Sequence, residues 1–436
     1  MLSALALLAA VACSEETIKM PWEDDLNQKH PEEQEKPVDP ALKMPEAKKG
    51  ETLPGWVEGC LDIHLINSGR GECIFHILPD GTTLLVDAGE TATDEKTSVP
   101  QKPISDPNAA VRPYMVDARY IRHFLPEGKT AIDWCAPSHF HIDHIGSADV
   151  KHETSPNGYR LAGLLALYDE VPYARVLDMG YPTYGDDTTI PEMDGQLAGD
   201  WATFVKWAVA NKGMSADRFR TGEEQIVLVN DREKYAGFRI FNICANGYVW
   251  KLDPATGQGT VENTKAAKGN PASCGFHLSY GKFDYIACGD LTSAPQNNVA
   301  LYYRDFMTPG GLDVFKAHHH LSSNAWGTQM QNCEFAPRVI VNQNFTNKQP
   351  DSGLLDNIVN GTFSTHPYVW TKDVFTTNVH PDALTANTAL FGQVAGYNGH
   401  IVVRVAPGGD EYYVYMLDDN DFEYKVKSIH GPYASK

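Results

Sequence analysis

Across 436 residues there is no run of eighteen uninterrupted apolar residues, so no segment reads as a membrane-spanning helix. Positive charge is also scarce. Lys and Arg number 36 against 56 Asp and Glu, a formal net charge of −20, which removes general attraction for polyanions and disfavours a nucleic-acid-coating role. Residues 14–50 hold ten acids against six lysines, so −16 of that total lies in the rest of the chain. An anionic substrate must then be drawn by a local cation, for which a bound metal ion is the most economical source. Cysteines number eight, and none is spaced as in a cysteine zinc site. Cys73, Cys135, Cys244 and Cys288 lie in apolar runs and read as small buried hydrophobes, leaving Cys60, Cys274 and Cys333 as disulfide candidates. No short-period repeat is present, and a hydrophobic share of 42% is enough for a sizeable core.

The first twelve residues form an apolar run that ends Ala10-Val11-Ala12 before Cys13, as a secretory signal core does. Those last four residues resemble a bacterial lipoprotein cleavage box. The resemblance implies that residues 1–13 are a signal peptide with an acylated Cys13, the membrane being met through the lipid alone, in the bacterial cell envelope. Ordinary secretion with an incidental cysteine is the alternative. Residues 14–54, rich in Glu, Pro and Lys, bury too little apolar area to fold and read as a disordered acidic tether. Residues 55–436 read as the folded domain.

Within it, Leu61 to Ile66, Glu72 to Leu78 and Thr82 to Asp87 alternate as three antiparallel strands joined at Gly69-Arg70-Gly71 and Asp80-Gly81. A helical period spans Val111 to Phe124, and Ala131 to Ala136 reads as a further strand. Helices are expected near 159–168, 200–211, 297–306 and 324–332. Strands are expected at 174–178, 225–229, 238–244, 274–280, 283–288, 313–316, 338–342, 400–405 and 412–416. Hairpins followed by alternating helices and strands, twice over, imply an α/β fold with two antiparallel-rich sheets packed together and helices on both outer faces.

The chemistry concentrates in Ser138-His139-Phe140-His141-Ile142-Asp143-His144-Ile145-Gly146. Extended backbone puts His139 and His141 on one face, where they can reach one metal together, and a turn then swings Asp143 and His144 toward a second position. Three imidazoles and a carboxylate in six residues after an apolar strand form a donor set suited to divalent zinc.

This pattern, His-x-His-x-Asp-His, resembles the signature of the metallo-β-lactamase fold superfamily. The resemblance implies a four-layer αβ/βα sandwich whose signature loop binds one or two metal ions, with Zn2+ expected and Mn2+ or Fe possible. It also implies roles residue by residue. Asp87 of Asp87-Ala88-Gly89 supports the metal loop. Asp290 of Cys288-Gly289-Asp290 bridges the metals, and the strand Asp313 to Lys316 delivers a last histidine from His318-His319-His320. A narrower likeness is to the hydrolase domain of ComEC-type competence proteins, through Gly69-Arg70-Gly71-Glu72, Asp87-Ala88-Gly89, Tyr280-Gly281, Gly289-Asp290 and Lys316-Ala317-His318-His319-His320-Leu321-Ser322. Aligned on Lys316, it implies His319 as the ligand and His320 as a supporting residue.

The sequence departs from these patterns in three ways. ComEC-type loops often carry Asp where this chain has His141, and Leu321 stands where Gly is usual. No histidine occurs between 153 and 276, where many two-zinc relatives supply one; Asn246 falls near that place, and His152 and His380 are the other candidates.

The expected metal set is thus His139, His141, Asp143, His144, Asp290 and His319. The expected reaction is hydrolysis by a metal-bound hydroxide, with Asp143 or Asp290 handling protons and Lys316 offsetting developing charge. The ComEC-type likeness favours a phosphodiester substrate. The alternatives are an ester, lactone or lactam, or a non-catalytic binding protein on the same scaffold.

Overall fold

Leu61, Ile63 and Leu65 alternate with Asp62 and His64, and that period of two builds the first of eighteen strands among the described residues. In the structure, a computed structural model, residues 41–94, 96–103, 112–185, 195–253, 256, 258–264, 268–292, 295–296, 298–300, 312–325, 337–360 and 373–436 are described. Cys13, the signal segment and most of the tether lie outside them. So do Cys333 and most of the helices expected at 297–306 and 324–332.

The first sheet begins with β1 (Leu61–Leu65), β2 (Cys73–Ile77), β3 (Thr83–Ala88), β4 (Ile132–Cys135), β5 (Tyr173–Asp178) and β6 (Ser215–Arg218). The second holds β7 (Phe238–Ala245), β8 (Tyr248–Leu252), β9 (Gly259–Asn263), β10 (Gly275–Tyr280), β11 (Phe283–Ala287), β12 (Val314–Lys316), β13 (Val339–Asn342), β14 (Asp373–Thr376) and β15 (Gly396–Tyr397). The chain then returns to the first sheet with β16 (His400–Val405), β17 (Glu411–Leu417) and β18 (Val426–Ala434). The spatial orders are β18-β17-β16-β1-β2-β3-β4-β5-β6 and β15-β14-β13-β12-β11-β10-β7-β8-β9.

Each sheet changes character partway across. β1, β2 and β3 are antiparallel, whereas β3 to β6 run parallel. β7, β10 and β11 are antiparallel, whereas β11 to β15 run parallel. Alternation along the parallel strands shows the layering. Tyr285, Val314, Val341 and Phe375 join the core shared with the first sheet, while Ile286, Phe315, Ile340 and Val374 face a second core with Leu355 and Ile358 of a helix at Ser352–Asn360. On the first sheet His64 and Phe75 turn the other way, toward Tyr120 and Phe124 of the helix Pro113–Phe124. The result is the four-layer αβ/βα sandwich expected from the sequence.

The sequence reading does not include β6, β8, β9, β14, β15 or β18, and it differs from the structure at two further places. Residues 225–229 are not a strand: Ile226 and Leu228 are buried, but Thr82 Oγ1 accepts from the Val229 amide and the Trp134 indole donates to the Val227 carbonyl, so side chains replace ladder bonds. Toward the start of the domain, the chain already meets the sheet at Gly50, whose amide donates to the Val426 carbonyl, and Leu53 is buried. Among the described residues no helix is long and apolar enough to cross a membrane.

Candidate metal centre

Apart from Asp87, the last residue but one of β3, and Lys316, the last of β12, the residues expected at the metal site follow the carboxyl ends of strands with a parallel neighbour. The metal loop follows β4, Gly289-Asp290 follows β11, and the triple histidine follows β12. Beyond the ends of neighbouring parallel strands the backbone diverges and leaves room for a site.

Gly71 and Gly89 let the loop close on the hairpin, since a Cβ on Gly71 would lie 2.7 Å from the Asp143 carbonyl oxygen. The Glu72 amide donates to the Asp143 carbonyl at 2.8 Å, and a Cβ on Gly89 would lie 1.9 Å from that same carbonyl oxygen. Asp87, with φ of 61°, adopts a backbone conformation that non-glycine residues rarely tolerate outside functional turns. Its carboxylate accepts from the Ser138 amide and hydroxyl, each at 2.7 Å, and lies 2.8 Å from His144 Nδ1. That bond fixes the His144 ring so that Nε2 faces inward.

The inward side is where the separate segments meet. Nε2 of His144 and of His320 lie 3.1 and 3.3 Å from Asp290 Oδ2. Asp143 Oδ2 is 3.2 Å from His320 Nε2 and 3.7 Å from His144 Nε2. His320 is oriented as His144 is, with Nδ1 bonded to the Gln343 carbonyl at 3.0 Å. The ring centroid of His139 is 4.1 Å from that of His144 and 4.5 Å from that of His141. Nε2 of His139, His144 and His320 and Oδ1 of Asp290 are buried with no hydrogen-bond partner. Imidazole and carboxylate atoms buried this close together are costly unless positive charge lies between them, and a divalent cation has the matching chemistry. One compact group able to hold a cation comprises Glu72, His144, Asp290 and His320, with one donor atom from each all within 4.8 Å.

The carboxylates draw positive charge to this place, and without a cation the imidazoles carry it as protons. Burial lowers the pKa of His144, but the Asp290, Asp143 and Asp87 carboxylates outweigh it and hold the group well above its ordinary value. His320, opposed by burial and supported chiefly by Asp290, is raised to about 9. Burial pushes Asp290 and Asp143 up, yet the facing imidazoles leave both lowered. His139 is lowered by burial and by the charge of His144.

The other residues fall in distinct places. His319, nearly a quarter exposed, sits at the rim: its Nε2 lies 3.9 Å from Asp290 Oδ2 and 3.1 Å from Asn270 Nδ2, and Nδ1 bonds Asn324. A left-handed turn through His319, His320 and Leu321 carries His320 deeper than its neighbour, which sequence alignment on Lys316 does not reveal. The His318 ring packs on Phe315. Lys316 is fully buried and lies 2.6 Å from Glu72 Oε2, donating also to the Gly289 carbonyl, so its charge is spent within the site. Asn246 donates to the Met179 carbonyl, and His380 caps the helix that starts at Pro381. His152 lines a separate cavity. Sequence reasoning left Glu72 without a role; the signal was an acid directly after Gly69-Arg70-Gly71.

No family model and no curated protein matches the chain. Among solved structures it is similar to CmlA, a diiron β-hydroxylase from Streptomyces venezuelae, at 13% identity and a TM-score of 0.33, over 66% of this chain and 45% of CmlA. It is also similar to unliganded yeast PDE1, at 10% identity and a TM-score of 0.35 over 77% of this chain and 96% of that one. A diphosphatase of the PhnP family gives 10% identity and a TM-score of 0.31 over 80% and 98%. The chain therefore spans less than half of CmlA, and scores this low leave the site's own geometry to carry the functional argument.

Proposed function

We propose that the chain is a metal-dependent hydrolase of the metallo-β-lactamase superfamily, related to the ComEC-type hydrolase domain, and that it acts on a phosphodiester. The carrying observation is the convergence of the orphaned His144 and His320 Nε2 atoms on Asp290 Oδ2 at 3.1 and 3.3 Å. His139, His141, His144, Asp143, Asp290 and His320 would hold one or two cations, zinc being the best fit to an imidazole-rich set. When bound, the cation would polarise an oxygen of the attacked phosphoryl group and acidify the attacking water.

The chain's own groups do the rest. Asp143, the most open of the central carboxylates, orients the attacking water. Asp290 draws the two halves of the site together. Asp87 and the Gln343 carbonyl hold the imidazoles in register. Lys316 acts by fixing Glu72 rather than by meeting substrate, and His319 at the rim is the histidine placed to meet the substrate's leaving group. A lipid anchor at Cys13 would put this activity at the bacterial envelope.

A panel of chromogenic phosphodiester, phosphomonoester, carboxyl-ester and β-lactam substrates, run with zinc and with manganese, tests this reading. Metal-dependent turnover fastest on the phosphodiester is expected; turnover that survives chelation overturns it. A second reading, a binding protein on the same scaffold, draws on Asn246: it stands near the place of a missing histidine and spends its amide on Met179. Metal binding without turnover on any of the four classes would favour that reading.

A further inference from the structure

Outside the metal centre the molecule contains a cavity of about 1030 Å³, walled by the loop after β3, the start of the helix Pro113–Phe124 and the segment after the metal loop. Arg70 lies in its wall and is only 5% exposed. Its guanidinium donates to the Gly69 and Val99 carbonyls, each at 2.6 Å, and to Thr93 Oγ1 at 3.2 Å. All three are neutral acceptors, and among the described residues no carboxylate lies within ion-pair distance. Burial lowers its pKa and no carboxylate charge raises it again. A buried cation without a counter-ion is costly and is normally compensated by an anion.

The other buried charges around the cavity cancel. Glu90 is held by Arg112 through two bonds of 2.8 and 2.7 Å and also accepts from the Gly163 amide. Asp149 and Glu153 also line the cavity but are exposed, where solvent and salt screen them. Tyr114, Val150 and Leu161 add apolar surface to the same wall. One uncompensated buried guanidinium beside apolar side chains is the usual composition of a site for a small ligand with one acidic end.

We infer that this cavity binds a small organic anion, whose carboxylate or phosphate oxygens are taken by the Arg70 guanidinium and whose apolar body lies along Tyr114, Val150 and Leu161. The anion is either the acidic part of the hydrolase substrate or a separate ligand. The site itself stands without the hydrolase reading, since none of its contacts involves the metal-centre side chains.

Calorimetric titration of the full chain with benzoate and with inorganic phosphate tests the site. Saturable binding of benzoate is expected, weakened at least tenfold by Arg70→Gln and by the cavity-filling Val150→Trp, and changed less than twofold by His144→Ala. Val150→Trp decides the matter if Arg70→Gln does not fold. Absence of binding by both probes, or equal binding by native protein and Val150→Trp, overturns the proposal, as does loss of benzoate binding in His144→Ala. Competitive inhibition of bis(p-nitrophenyl) phosphate turnover by benzoate would place the anion on the substrate. A rate change without competition would make it a separate ligand. Either outcome upholds the site.

Discussion

Asp87 accepts three hydrogen bonds with one carboxylate, and an amide in its place has one fewer acceptor and a donor facing the Ser138 amide or His144 Nδ1. Asp87→Asn is therefore expected to cost about 1–3 kcal/mol of stability and to weaken metal affinity by about 10–100-fold, measured by denaturant unfolding and by competition with a chelator. Unchanged affinity would remove Asp87 as an orienting residue. His319 and His320 differ more sharply. His320→Ala is expected to abolish metal retention and turnover together, while His319→Ala keeps the metal and lowers turnover. Retention of metal by His320→Ala and its loss by His319→Ala would reverse the assignment. At this scale the signature loop was legible because the chemistry needs donors at short, fixed spacing. The choice among three adjacent histidines was not, because it depends on a left-handed turn that no residue type announces.

The loop after β4 lies against the hairpin ends through backbone rather than side chains. Gly89→Ala would place a Cβ where the Asp143 carbonyl now lies, 1.9 Å away, and backbone cannot yield as a flexible side chain does. The expected result is a folded protein with turnover reduced at least 100-fold, checked by circular dichroism beside the phosphodiester assay; near-native turnover would show that the loop is less fixed than its contacts imply. The elements that position this loop were readable in advance: β1 to β5, β7, β10 to β13, β16 and β17 all carry runs of apolar or alternating residues. β9, whose Gly259–Asn263 is half exposed, and β18, with Gly431-Pro432 inside it, offer no such pattern. Residues 225–229 misled in the opposite direction, since buried alternation is also satisfied by a loop whose backbone bonds to side chains.

Across the whole molecule the two sheets share one core, and its buried titratable groups make stability pH-dependent. His76 faces Phe276 and Tyr285 across the sheet interface, and burial lowers its pKa to about 3. The unfolded chain takes up that proton near pH 6.5 and the folded chain does not, so the stabilisation is complete above 6.5 and is lost as pH falls toward 3. Between pH 7 and 5 this amounts to about 2 kcal/mol, and His76→Leu is expected to remove that part of the slope in urea titrations. An unchanged slope would show that His76 is protonated or solvated in the folded state. The sandwich itself was legible from hairpins followed by alternating helices and strands in each half, whereas the parallel pairing within each sheet was not, and the pairing of β16 with β1 links residues more than 300 positions apart and left no local trace. Segments distant in sequence are expected to hold a cation jointly in the assembled molecule. Metal content by plasma emission after zinc-replete preparation measures it most directly: one or two equivalents in the native chain, falling below half an equivalent in His144→Ala, is the predicted result, and less than half an equivalent in the native chain would contradict it.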